Sequence, residues 1–128
     1  MIKSITHITM FVENQDKTLD FYKKLNFGVH TDSSFGEFRW LTLCLPGNKN
    51  LELALIKAES TQEKNLVGKQ AAQKPFLSID TDNCQQDFQR LKDLGVEFVQ
   101  EPKSEEWGTS AMFKDLYGNL IYLNQSNI

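Results

Sequence analysis

Two residues in this 128-residue chain have the types and spacing to do acid–base chemistry together. His7 opens a stretch that alternates apolar and polar, and Glu52 sits inside the similar stretch Leu51-Glu52-Leu53-Ala54-Leu55. A period of two predicts strands, with His7 and Glu52 on the same face of neighbouring ones. An imidazole beside a carboxylate reads in two ways. It is either a polar pair satisfied by its own hydrogen bond and water, or a general base in which Glu52 orients His7 or takes a substrate proton itself. The same parity turns Phe38, Trp40, Phe76, Met112 and Tyr122 to that face, with Thr9, Thr42, Ser78, Ser110 and Asn124 among them. Flat aromatic walls with a few hydroxyls and an amide suit an aromatic or planar small molecule. The same side chains would also serve to fill the face or to pack against a second subunit.

The elements that must position these residues come in a repeated order. Residues 4–12 form a predicted strand, Asn14-Gln-Asp-Lys opens a helix, and Phe27-Gly28-Val29 ends it and turns into another strand. Phe38 to Leu45 and Leu51 to Leu55 then form a hairpin around Pro46-Gly47-Asn48. Residues 58–73 are polar and lack periodicity, which predicts a linker over the surface. Then the order returns: a strand from Phe76 to Asp80, a helix after Asp82-Asn83 closed by Gly95, and strands at 96–99, 107–114 and 119–124 around Asp115-Leu-Tyr-Gly118. The chain thus reads as α+β, with module 1–57 and module 74–128 sharing one domain. A unit below about 60 residues cannot bury its faces alone, so the expected architecture is one curved mixed sheet, a half-barrel cup with helices outside.

Composition excludes several function classes. Fourteen Lys and Arg against 17 Asp and Glu leave a net charge of −3, so no basic excess exists to hold nucleic acid. No apolar run suits a signal peptide or membrane helix, and two cysteines, Cys44 and Cys84, are too few and too far apart for a disulfide framework. A cytoplasmic protein with reduced thiols and no membrane partner is expected.

The phrases HITMFVENQDKTLDFYKKLNFGV, LELAL, VEFVQEP and WGTSAMFKDLYGNLIYL, in this doubled order, resemble the vicinal oxygen chelate superfamily of glyoxalase, bleomycin-resistance and extradiol-dioxygenase proteins. The resemblance implies two βαβββ modules, homodimers, and in metal-using members one ligand from the first and last strand of each module. His7 and Glu52 occupy those positions in the first module. In the second, Phe76 stands where His is expected and Tyr122 where Glu is expected. Phenylalanine has no donor atom, and a chelate needs at least three donors. The other histidine, His30, has no counterpart among the family's ligand positions. The expectation is therefore a cup that binds a planar or aromatic small molecule with no cofactor. The alternative is a lyase or dioxygenase that holds Ni, Zn, Mn or Fe through His7 and Glu52. A metal-free isomerase or lyase that uses Glu52 lies between the two.

Overall fold

Residues 1–127 are described by a computed structural model, which divides the chain into two compact units, Met1–Gly68 and the remainder from Lys69 onward. In the first unit the order is β1 (His7–Val12), α1 (Gln15–Lys23), β2 (Gly28–Phe35), β3 (Phe38–Cys44), β4 (Glu52–Lys57) and α2 (Thr61–Leu66). Its four strands form one mixed sheet in the order β1-β4-β3-β2, with β1 parallel to β4 and the other pairs antiparallel. The second unit repeats the plan with β5 (Pro75–Asp80), α3 (Cys84–Asp93), β6 (Phe98–Glu105), β7 (Gly108–Lys114) and β8 (Leu120–Ser126), in the order β5-β8-β7-β6. Each unit is a βαβββ module, and the class is α+β.

Period two sorts the first sheet into two faces. Met10, Val12, Leu41, Leu43, Leu53 and Leu55 fill one face and are 5% exposed or less, under Tyr22 of α1. The Tyr22 hydroxyl reaches Met10 Sδ at 3.5 Å, which fixes which helix side is down. Each such aliphatic chain contributes about 2 kcal/mol by leaving water. Asn14 starts α1 by accepting from Lys17 N at 2.8 Å. The chain leaves the helix through Asn26, which takes the left-handed conformation (φ 74°) two residues before Gly28. The turn expected at Phe27-Gly28-Val29 is thus made by asparagine, whose short amide tolerates that region.

The second unit builds its core likewise from Phe88, Leu91, Val96, Ala111, Phe113, Ile121 and Leu123. Phe98 joins it, its ring 4.7 Å from Phe88 and 5.3 Å from Phe113. Gly95 closes α3 at φ 89°, with Val96 N bonded to Leu91 O at 3.0 Å. Gly108 is needed for a different reason: a Cβ there would lie 2.0 Å from Gln125 O.

The segment 58–73, expected as a structureless linker, contains α2. Ser60 and Glu63 form a reciprocal capping box, with Glu63 N donating to Ser60 Oγ at 3.1 Å and Ser60 N to Glu63 Oε1 at 3.4 Å. The helix buries no residue, so it carries no apolar periodicity to betray it. Among the described residues no helix is long and apolar enough to cross a membrane.

Candidate functional site

The face of the first sheet opposite α1 carries the polar cluster. Register places His7 beside Glu52 and Thr9 beside Ala54, which also neighbours Thr42. His7 Nε2 lies 3.2 Å from Glu52 Oε2. Thr42 is wholly buried, and its hydroxyl donates to Glu52 Oε1 at 2.7 Å. Thr42, expected to line a ligand, therefore spends its hydroxyl on holding the carboxylate. The Glu52 side chain is itself only 12% exposed, and the Thr42 hydrogen bond with two nearby imidazoles compensates for its burial.

The second imidazole beside Glu52 is a residue the sequence did not place. His30 Nδ1 lies 3.0 Å from Glu52 Oε1. Strand β2 changes register between Val29 and Thr31, so one residue is extra against β3, and that residue is His30. A bulge of this kind re-aims a side chain. The same nitrogen is 2.8 Å from Thr31 Oγ1, while His7 Nδ1 is 2.9 Å from Thr6 Oγ1. Alternation counted from Gly28 and Val29, opposite Cys44 and Leu43, already turns His30 to this face, and the bulge then lets Thr31 face Thr42 as well. The imidazoles are 37% and 39% exposed, so a buried carboxylate anchors two half-open rings.

Trp40 stands next to this cluster, its ring centroid 5.4 Å from that of His7 at an interplanar angle of 60°. Phe38 lies at the tip of the β2–β3 hairpin, paired with Phe35, and both are exposed. Arg39 turns to the α1 side, as parity requires. There it donates to Asp32 through Nε and Nη2, both at 2.9 Å, and to Asp16 through Nη1 at 2.8 Å. Its hydrogen bonds to Asp32 and then Asp16 push the guanidinium pKa further up, and the Arg39 hydrogen bond pulls the Asp32 carboxyl down.

The corresponding face of the second unit has a different character. Register aligns Ser78, Tyr122 and Met112 in one row, and Asp80, Asn124 and Ser110 in the next. Ser110 is 3% exposed, with Gln100 Nε2 at 3.4 Å from its carbonyl, whereas Met112, Tyr122 and Asn124 are half-buried. Phe76 falls in an irregularity between Pro75 and Leu77 and has no register partner. Tyr122 lies opposite Ser78, so these two positions do not reproduce the His7–Glu52 pairing.

A chelate of the family type does not fit this donor set. The second unit offers a phenyl ring and a phenol, and among the described residues no three His, Cys, Asp or Glu side chains are grouped to hold one metal ion.

A profile of the Glyoxalase/Bleomycin resistance protein/Dioxygenase superfamily matches residues 4–123. An uncharacterised protein of Shewanella frigidimarina is 37% identical over 130 residues, covering 99% of this chain and 96% of its own. The crystal structure of UcmS2 superimposes with a TM-score of 0.83 at 32% identity, covering 97% of this chain and 98% of its own. That of TnmS3, an antibiotic-binding protein from a Streptomyces species, does so with a TM-score of 0.80 at 31% identity and 98% coverage of both chains. Match and geometry agree with the doubled βαβββ order, and the chain belongs to the glyoxalase/bleomycin resistance protein/dioxygenase superfamily.

Proposed function

We propose that this protein binds a planar or aromatic small molecule on the face of its first sheet opposite α1, without a family-type metal. The observation that carries this reading is the contact of the Trp40 ring with His7, which joins an aromatic wall to the satisfied His7–Glu52–Thr42 cluster. Flat apolar surface next to a few fixed polar atoms is the composition of a small-molecule site. The likeness to an antibiotic-binding protein at 31% identity supports it. A binder needs no chelate, and sequestration asks only for affinity. A cytoplasmic homodimer belongs to the same proposal, its dimer part motivated by the exposed Phe35 and Phe38; light scattering would read twice 14.7 kDa, and a monomer mass would remove that part.

The test is calorimetric titration with naphthalene, alongside tryptophan fluorescence in a Trp107→Phe background where Trp40 is the sole reporter. Wild type is expected to bind and to show quenched emission. Trp40→Ala is expected to keep its circular dichroism and lose at least tenfold in affinity, the scale of one aromatic contact of about 1.4 kcal/mol. Equal affinity in Trp40→Ala would move the site elsewhere.

A further inference from the structure

Glu52 holds two imidazoles by different ring nitrogens. A carboxylate only accepts, which favours the proton on Nε2 of His7, 3.2 Å from Oε2, and on Nδ1 of His30, 3.0 Å from Oε1, where the Thr31 hydroxyl 2.8 Å from the same nitrogen can accept as well. The carboxylate therefore favours opposite tautomers in the two rings. Their remaining nitrogens differ as well. His7 Nδ1 is 2.9 Å from the Thr6 hydroxyl, which can donate to it. His30 Nε2 has no partner among the described residues, and the side chain is 39% exposed. With the proton on Nδ1, Nε2 carries a lone pair on a ring placed beside a buried carboxylate at a strand bulge.

We infer that His30 Nε2 is the polar anchor of the ligand site, and that it accepts a hydrogen bond from an acidic hydroxyl on an aromatic ligand, a phenol or aryl enol. This rests on the binding reading above and narrows it to a ligand class. A neutral imidazole whose other nitrogen donates to a carboxylate is a strengthened acceptor, because the negative charge opposes loss of electron density at the lone pair. The partner that gains most from such an acceptor is a strongly donating O–H, and phenols donate better than alcohols. An ether or a bare ring offers nothing to Nε2 and leaves it to water. Glu52 acts here as a positioning residue: it favours this tautomer and need not touch the ligand. Thr42, which donates to the same oxygen as His30, keeps that carboxylate in place.

Three probes of one size separate the anchor from the aromatic site itself: naphthalene, 2-methoxynaphthalene and 2-naphthol, titrated into the full chain by calorimetry. Wild type is expected to bind 2-naphthol roughly tenfold tighter than the other two, the size of one good hydrogen bond. His30→Phe is expected to bind all three alike. Glu52→Gln, which removes the charge and replaces one acceptor oxygen with an NH2 donor while keeping the shape, is expected to shrink the preference. The tautomers are read independently by imidazole nitrogen NMR on the unliganded protein, which is expected to show Nδ1–H at His30 and Nε2–H at His7. If naphthalene binds and 2-naphthol binds no tighter, the anchor is overturned and the aromatic site stands. If none of the three binds, the aromatic reading falls and takes the anchor with it. A protonated Nε2 in neutral His30 overturns the anchor whatever the affinities are.

Discussion

At the scale of single residues, the site and the thiols show how surroundings decide chemistry. His7 and Glu52 were legible in the sequence because each sits in an alternating stretch, and parity alone puts them on one face. His30 was not, because it matches no ligand position of the family pattern, and the bulge at which it sits has no marker residue in the sequence. Thr42 was legible as a residue of that face, but burial of its hydroxyl against Glu52 depends on β3–β4 register. The two cysteines make a similar contrast. Cys84 is the first residue of α3, where a helix N-terminus ordinarily lowers a thiol pKa. Here the thiol is fully buried, and burial first, then Asp87, pushes it up instead. Cys44 is half-buried at the end of β3. A disulfide-exchange reagent at neutral pH is therefore expected to label Cys44 in the folded protein, with Cys84 reacting only on the timescale of unfolding. Peptide mapping after a timed quench reads this, and early labelling of Cys84 would contradict its burial.

Among elements, the β7–β8 hairpin shows what the phrase WGTSAMFKDLYGNLIYL specifies. Asp115 is 5% exposed, and its Oδ1 accepts from Tyr117 N and Asn119 N, both at 2.9 Å. Oδ2 accepts from Asn119 Nδ2, also at 2.9 Å, and Gly118 supplies φ 92°. Asp, Gly and Asn at these positions are turn chemistry, so the phrase that carries the family resemblance specifies the fold and says little about the ligand. Asp115→Ala leaves these donors without their acceptor and is expected to cost about 2–3 kcal/mol, read as a lower urea midpoint with unchanged slope. A loss below about 0.5 kcal/mol would mean that water replaces the carboxylate. Arg39 ties α1 and β2 to β3 through Asp16 and Asp32, and this tie depends on pH. Because Arg39 lowers the Asp32 pKa below its ordinary 3.8, the stabilisation is present above that value and is lost as pH falls through the lowered one. Wild type is expected to melt slightly above Asp32→Asn at pH 7, with the gap closing in acid below 3.8; the gap is small because both groups meet solvent. A gap that persists in strong acid would point to packing. Helix α2 is the element that hydrophobic periodicity misses, since a helix that buries nothing is announced only by Ser60 and Glu63 at capping-box spacing.

For the whole molecule, the repeat has kept its scaffold and divided its chemistry. Both units have the same strand order and the same asparagine cap on their first helix, Asn14 and Asn83. On the faces opposite those helices they diverge. The first unit has a carboxylate held by two imidazoles and a buried hydroxyl, and the second has Met112, Tyr122, Asn124 and serines. Scaffold positions are constrained by packing, in which one missing methylene is felt, while an open face is freer to differ between the units. A metal-dependent lyase or dioxygenase would require both units to supply donors, or one unit to supply three converging ones. The expected result is that protein incubated with Ni, Zn, Mn and Fe(II), then desalted without chelator, retains far less than one ion per chain by mass spectrometry. Weak binding by His7 and Glu52 alone leaves too few ligands to survive desalting. Stoichiometric retention of one of these ions, lost in both His7→Ala and Glu52→Ala, would overturn this, because it would require His30 or an unassigned donor to swing into a chelate that the hydrogen-bonded cluster does not form.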